Sequence, residues 1–147
     1  PAHPDAVERL LGYRQALERA GIAYDPELVA AGQFNEASGL LAMEQLLHSR
    51  QRFTAVFACN DQMAFGAALA LYRRRLRVPD DCSLVGFDDL GSASYAMPPL
   101  TTVHQPGYEL GQIAAQAMLQ LLGGSKPSVS MPEPHLVVRE SSTPPRR

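Results

Sequence analysis

Residues 54–61 read Thr-Ala-Val-Phe-Ala-Cys-Asn-Asp, an uncharged run that ends in an amide and a carboxylate. Residues 83–89 repeat this arrangement as Ser-Leu-Val-Gly-Phe-Asp-Asp. Uncharged runs without polar alternation are typical of strands buried on both faces, as in a parallel sheet covered by helices. Ligands bind such sheets just beyond the carboxyl ends of the strands. The sequence therefore predicts a pocket there, lined by the polar residues that end the two runs, Asn60, Asp61, Asp88 and Asp89.

Helical and strand patterns alternate around these two runs. Apolar residues at three-to-four spacing predict helices, and short apolar runs between turn residues predict strands. The predicted helices cover residues 5–20, 37–49 and 62–75, and the predicted strands cover residues 28–31, 54–61 and 83–89. This alternation predicts an α/β fold, a three-layer sandwich with a mostly parallel sheet.

The pattern changes after residue 89. A short helical turn over residues 90–97 and a strand over residues 100–104 precede the clearest amphipathic helix, residues 107–122. A proline-rich segment then leads to a strand at residues 135–139. From Ser142 onward the polar, proline-containing tail is predicted to be disordered.

Composition excludes several functional classes. The chain has 147 residues, which suits one domain with a sizeable core. Its net charge of −2 does not indicate the basic surface that binding to nucleic acid phosphates requires. The cluster Arg73–Arg75 with Arg77 fits a solvated helix end better than a phosphate-binding patch. The spacing of its cysteines and histidines suggests no disulfide, metal or cofactor site. Without a membrane-spanning run or a signal-peptide pattern, a cytosolic location is expected.

Six separate segments carry a resemblance to a known family. The chain resembles the effector-binding domain of the lac/galactose repressor (LacI/GalR) family of transcriptional regulators over most of its length, roughly residues 5–142. The segments, in the family's order and spacing, are Phe53–Ala64, Val78-Pro79, Val85–Asp89, Pro99–Val103, Gln105-Pro106 and Leu136–Ser141.

The resemblance implies a domain organisation like that of a periplasmic binding protein. Residues 1–104 would form the C-terminal lobe of the effector domain, and residues 105–124 a crossover helix that packs on the other lobe. Residues 125–141 would return as a strand of the C-terminal lobe, with residues 142–147 as a disordered tail. The N-terminal helix-turn-helix and the first lobe of the family are absent from this sequence, as is the strand that normally precedes Pro1.

The same resemblance implies which residues contact the effector. Arg9, in an Arg-x-x-Gly match, would point into the cleft, and Phe34 would stack on the effector's ring. Asp88 would accept hydroxyl hydrogen bonds, which the charge strengthens. Asn60 would bind hydroxyls or cap the helix that follows, and Gln105 would lie at the crossover.

Each of these residues also has an ordinary structural interpretation. Arg9 could be a surface arginine and Phe34 a core aromatic. If Asn60 binds the effector, Asp61 can cap the next helix instead. Asp61 and Asp89 are interpreted as secondary residues, with Asp89 bracing its loop through backbone amides.

The helix over residues 62–75 predicts an association surface. No charged residue lies between Met63 and Tyr72, and apolar side chains surround the helix. One side should cover the sheet and the other should pair with a second copy in a two-fold dimer. The predicted interface residues are Phe65, Leu69, Tyr72 and Tyr95, near residues 35–40.

The sequence therefore predicts the effector-sensing and dimerisation region of a repressor. Its ligand would be a sugar or a similar polyhydroxylated metabolite, and operator DNA would be bound only through the absent helix-turn-helix. Two alternatives stay open at this point, a periplasmic-type sugar-binding protein and a carbohydrate-active enzyme using Asp61 and Asp88. No nucleophile or phosphate-loop motif supports an enzyme.

Overall fold

The computed structural model describes residues 3–49 and 51–144, which form a four-stranded sheet and four α-helices. The helices are α1 (Pro4–Arg19), α2 (Glu36–His48), α3 (Asp61–Arg73) and α4 (Gly107–Leu122). The strands are β1 (Ala55–Phe57), β2 (Ser83–Asp88), β3 (Thr101–His104) and β4 (His135–Val137). Short 3-10 helices lie at Pro26–Leu28 and Gly91–Tyr95.

The sheet has the order β1-β2-β3-β4. Strands β1, β2 and β3 run parallel, with Val56 opposite Leu84 and Gly86 opposite Thr102. Strand β4 is antiparallel to β3 and places Val137 opposite Thr102. The predicted α/β class and the mostly parallel sheet are confirmed.

The core lies between α2, α3 and the central strands. Met43 of α2, Leu71 of α3 and Leu84 of β2 are almost fully buried there. The two helices approach so closely that a Cβ atom on Gly66 would lie 2.0 Å from the carbonyl oxygen of Glu36. Glycine is therefore required at this contact, since any side chain would collide with backbone atoms.

Side-chain caps fix where α2 and α3 begin. Asn35 accepts a hydrogen bond from the backbone N–H of Ser38 at 2.9 Å, and Asn60 accepts one from Met63 at 2.9 Å. Both satisfy donors that the first turn of a helix leaves unpaired. Asn60, and not Asp61, is thus the cap of α3.

Two of the predicted strands differ in the structure. Residues 28–31 belong to no strand of the described sheet, because Leu28 ends a 3-10 helix and the extended residues after it have no neighbouring strand. Strand β1 spans only Ala55–Phe57, and both end residues are exposed because β1 is an edge strand beside an open cavity. The expectation that this run is buried on both faces is wrong for β1, whereas in β2 Ser83, Leu84 and Gly86 are buried and the other three residues are partly buried.

The start of the predicted disordered tail is also corrected. Ser142 shares a hydrogen bond with the Thr101 hydroxyl at 2.9 Å, and the backbone N–H of Thr143 donates to the Ser83 hydroxyl at 3.0 Å. These contacts tie both residues to the sheet. Residues 145–147 lie outside the described part of the chain.

Helices α1 and α4 contrast with the core. Neither helix has a buried residue among those described. On α4, the predicted apolar stripe is at most half-buried, at Leu110, Ile113 and Ala117, while Leu121 is exposed. The stripe of α4 is therefore not covered by the rest of the described chain.

Candidate functional site

The predicted site residues meet at the carboxyl edge of the three parallel strands. Asn60 follows β1 and Asp88 ends β2. Gln105 follows β3, and its backbone N–H donates to the Asp88 carbonyl oxygen at 3.4 Å. This is the edge where ligands bind in open α/β sheets.

Arg9 of α1 reaches into this edge and is almost buried, with only 11% of its side chain exposed. Its guanidinium donates a hydrogen bond to the carbonyl oxygen of Cys59. Nη2 lies 3.9 Å from Asp88 Oδ1 and 3.8 Å from Asp5 Oδ2. The surface interpretation of Arg9 is therefore wrong, because its charge is held inside the site between two carboxylates.

Two aromatic rings flank the same guanidinium. Its central carbon lies 3.9 Å from the centroid of Phe87 and 5.6 Å from that of Phe34. A cation over an aromatic face is attracted by the ring quadrupole. The sequence analysis missed Phe87, although its position directly before Asp88 in a strand-end motif was the available signal.

Asp88 stands in an unusual backbone conformation beside Arg9. Its φ is 112°, and that of Asp89 is 59°, values that side-chain-bearing residues seldom adopt. Burial raises the pKa of Asp88, and the nearby Arg9 charge opposes that shift. The side chain of Asp88 remains 29% exposed, so its carboxylate is accessible to a ligand at the edge.

Asp61 and Asp89 hold the loop that carries Asp88. Asp61 is fully buried and accepts hydrogen bonds from the Thr102 hydroxyl at 2.6 Å and from the Leu90 N–H at 2.8 Å. Its burial raises its pKa. Asp61, at the start of α3, thus ties the loop after β2 to strand β3, and the secondary role predicted for Asp61 and Asp89 stays a prediction.

Side chains, and not the predicted backbone amides, bind Asp89. Its carboxylate accepts hydrogen bonds from Arg139 at 2.7 Å and from His104 at 2.9 Å. Burial opposes ionisation, but these hydrogen bonds together hold the pKa of Asp89 below its usual range. His104 at the end of β3 and Arg139 just after β4, which the sequence analysis did not select, thus connect the Asp88 loop to these two strands.

Asn60 and Phe34 form one unit. The Asn60 amide caps α3 and also donates to the Phe34 carbonyl oxygen at 3.1 Å, and only 5% of the residue is exposed. That bond supports Phe34, whose φ of 56° also lies in the left-handed region. Asn60 therefore positions the aromatic residue, and its direct contact with an effector stays a prediction, as does that of the exposed Gln105.

The arginine cluster and the predicted dimer residues lie away from this edge. Arg73 pairs with Glu44 at 3.8 Å and Arg77 with Asp81 at 3.0 Å, which fits a solvated, paired surface. Leu69, Tyr72 and Tyr95 are exposed, whereas Phe65 packs partly against the core.

The described residues contain neither a metal-binding cluster nor a membrane-spanning helix. Residues 3–49 and 51–144 contain no cluster of three or more histidine, cysteine, aspartate or glutamate side chains that could hold a metal ion. No helix in the same residues is long and apolar enough to span a bilayer.

Comparisons with known proteins match this geometry to a family. The family model of the periplasmic binding protein-like domain covers residues 1–142. The chain is 40% identical to the ribose operon repressor of Haemophilus influenzae over 138 residues, which are 92% of the chain and 42% of that repressor. It is 48% identical to the transcriptional repressor CytR of Escherichia coli over 114 residues, 78% of the chain and 33% of CytR.

A solved structure gives the same result. A sugar-binding transcriptional regulator of the LacI family from Escherichia coli, complexed with phosphate, superposes with a TM-score of 0.88 at 38% identity. The match covers 97% of the chain and 52% of that structure. The chain thus spans about half or less of the length of these three relatives. It belongs to the periplasmic binding protein-like family, as the effector-binding part found in LacI-family transcriptional repressors.

Proposed function

We propose that this chain binds the small-molecule effector of a transcriptional repressor at the edge formed by Arg9, Phe34 and Asp88. The observation that carries the proposal is the placement of Arg9, a nearly buried cation beside a partly exposed carboxylate and between two aromatic rings. A guanidinium donates and a carboxylate accepts, so the pair matches the hydroxyl groups of one ligand.

A sugar or similar polyhydroxylated metabolite fits this arrangement best. Asp88 can accept hydrogen bonds from two neighbouring hydroxyls, and the ring of Phe34 offers an apolar face for stacking. Two relatives, a ribose operon repressor and a sugar-binding transcriptional regulator, are named for the same class of ligand.

Binding without chemistry is the better account of the carboxylates. The proposed pair of a glycosidase would be Asp61 and Asp88, but Asp61 is fully buried and its two oxygens accept hydrogen bonds from Thr102 and Leu90. A carboxylate so occupied cannot attack a sugar. The relatives are likewise transcriptional regulators, which disfavours a periplasmic transport role as well.

In the intact protein, the effector would alter how two lobes are oriented. Residues 1–104 and 125–141 would form one lobe, and α4 would cross over to the other, which explains its uncovered apolar side. The ligand shifts this equilibrium by binding one orientation more tightly. A helix-turn-helix elsewhere in the polypeptide would bind operator DNA in the cytoplasm.

A homodimer would complete the assembly. Tyr72 and Leu69 form an exposed apolar patch at the end of α3, where a second copy can pack across a two-fold axis. Replacing Tyr72 by glutamate should shift sedimentation toward the monomer, whereas glutamate at the exposed Tyr108 on α4 should leave association through α3 unchanged. A monomeric parent chain at micromolar concentration would contradict this dimer.

The ligand proposal is tested by titrating the chain with a carbohydrate panel. Chemical shifts of the amides around Asp88 are followed by NMR, which also detects millimolar affinities. Asp88→Ala should weaken binding by about 10- to 100-fold, the loss of a charge-assisted hydrogen bond of about 1.5–3 kcal/mol. Asp80→Ala, the same change on a distant loop, is the matched control. Unchanged affinity in Asp88→Ala, with an intact fold, would place the site elsewhere.

A further inference from the structure

The carboxylate of Asp89 joins three parts of the fold. Its Oδ1 accepts a hydrogen bond from Arg139 Nη2 at 2.7 Å, and its Oδ2 lies 2.9 Å from His104 Nδ1. Asp89 stands in the loop after β2, whereas His104 ends β3 and Arg139 follows β4. Only 16% of the Asp89 side chain is exposed, so both contacts are largely shielded from water. One side chain thus fixes the loop to two different strands.

The strands that Asp89 holds are the two that flank α4 along the chain. Strand β3 ends at His104 and α4 begins at Gly107, while β4 is the first strand after α4. Arg139 is itself anchored on β3, because its Nη1 donates to the Leu100 carbonyl oxygen at 2.8 Å and its backbone N–H donates to the Thr101 hydroxyl at 2.9 Å. Asp89 therefore binds the chain just before it leaves for α4 and just after it has returned.

The residue before Asp89 is Asp88, the carboxylate of the proposed effector edge. Asp88 lies opposite His104 in the parallel pairing of β2 with β3, and its carbonyl oxygen accepts from the Gln105 N–H at 3.4 Å. The φ values of Asp88 and Asp89 are 112° and 59°. Residues with side chains keep such angles only where their surroundings hold them there. The two hydrogen bonds to the Asp89 carboxylate provide that restraint.

We propose that Asp89 is a positioning residue, which acts through His104 and Arg139 to hold the backbone of Asp88 at its positive φ. The direction of the Asp88 carboxylate and the path of the chain into α4 would then change together. This inference rests on the proposed function, in which Asp88 contacts the effector. Asp89 needs no effector contact of its own, since both of its oxygens already accept hydrogen bonds.

The first test replaces Asp89 by glycine, which removes both contacts but readily keeps a φ of 59°. The three-bond coupling between the amide proton and Hα of Asp88, measured by NMR, reports the φ of Asp88. This coupling should be small in the parent chain and should rise toward the value of an extended strand in Asp89→Gly. The Gln105 N–H, which donates to Asp88, should exchange with solvent at least about tenfold faster.

Two further variants separate positioning from the flexibility of glycine. His104→Phe keeps an aromatic ring beside His135, whose centroid lies 5.0 Å away, but cannot bind Asp89. It should change the Asp88 coupling in the same direction. Asp89→Asn has an oxygen for Arg139 and an N–H for His104, and asparagine tolerates a positive φ, so it should restore most of the parent coupling.

Hydrogen exchange at Leu84 distinguishes positioning from general stabilisation. The Leu84 N–H donates to the Ser141 carbonyl oxygen at 2.8 Å within the core. In Asp89→Gly and His104→Phe, its exchange should accelerate less than that of Gln105. Equal acceleration at both amides would mean that Asp89 stabilises the whole domain and does not position Asp88.

An Asp88 coupling that keeps its parent value in both Asp89→Gly and His104→Phe would also overturn the proposal. If the glycine variant does not fold, His104→Phe alone decides, because it leaves the loop sequence intact. All of these readouts are taken without a ligand. A failed carbohydrate titration therefore leaves this result standing, and an unchanged Asp88 conformation here leaves the effector proposal open to its own test.

Discussion

The two sides of this molecule have similar sequence patterns but very different packing. On the α2–α3 side, Leu71 is fully buried and Gly66 touches the backbone of α2. On the α1 side, a helix with an equally regular apolar stripe has no buried residue and borders a cavity. An apolar stripe thus predicts that a helix is amphipathic, but whether it is buried depends on the partner that covers it.

The largest test of this contrast removes a leucine from each side. Leu71→Ala should cost about 2–5 kcal/mol of unfolding free energy, because it opens a void in a close-packed core. Leu11→Ala on α1, where the residue is 47% exposed, should cost less than about 1 kcal/mol. Chemical denaturation measures both changes. Equal costs would show that α1 is as well packed as α3.

Glycine substitutions sharpen the contrast with opposite signs. Gly66→Ala should destabilise by about 1–3 kcal/mol, since its Cβ would lie 2.0 Å from the Glu36 carbonyl oxygen and force the helices apart. Gly12→Ala meets no atom within 4 Å and should stabilise by up to about 1 kcal/mol through helix propensity. Thermal unfolding of the two variants gives the comparison directly, and a loss of stability in Gly12→Ala would contradict the open character of α1.

The sequence was sufficient for the packed side and insufficient for the open one. The helix predicted at residues 62–75 and the strand predicted at residues 83–89 agree with α3 and β2 to within two residues at each end, since periodicity and uncharged runs record local geometry. The strand predicted at residues 28–31 failed because pairing depends on a distant neighbour. Its residues are extended, but no described strand lies beside them.

The candidate site shows the same division. Because Asn60 and Asp88 follow or end predicted parallel strands, the sequence predicted that they lie at one edge of the sheet. The structure places both residues at that edge. The sequence could not show that Phe87 stacks on Arg9, or that Arg139 and His104 bind Asp89. These partners are up to 78 residues apart in sequence, counting Arg9 to Phe87, so only the folded chain brings them together.

Two neighbouring carboxylates give opposite dependences of stability on pH. Burial raises the pKa of Asp61 above its unfolded value of about 3.9. The stability that Asp61 contributes to the folded state is therefore fully present below about pH 3.9 and is lost as pH rises through its folded pKa. The pKa of Asp89 is lowered in the folded state. The stability that Asp89 contributes is therefore present above about pH 3.9 and is lost as pH falls through its folded pKa.

Neutral variants separate these two effects. Asp61→Asn should remove the decline in unfolding free energy above about pH 4, and Asp89→Asn should remove the loss below it. Denaturation midpoints measured across this pH range provide the test. If both variants changed the pH dependence of stability on the same side of about pH 4, Asp61 and Asp89 would not have the opposite pKa shifts that their surroundings indicate.

The smallest expected effect concerns the contact that joins the two sides, Arg9 of α1 with Asp88 of β2. Removing the guanidinium charge in Arg9→Gln should raise the pKa of Asp88 further, because that charge is what opposes the effect of burial. Arg14→Gln, on the same helix but stacked on Tyr24, should leave Asp88 unchanged. Carboxyl carbon shifts followed through an acid titration report the pKa of Asp88 in both variants and need no ligand. An unchanged value in Arg9→Gln would mean that α1 does not hold Arg9 at the site in solution, and the open side would then be separate from the effector edge.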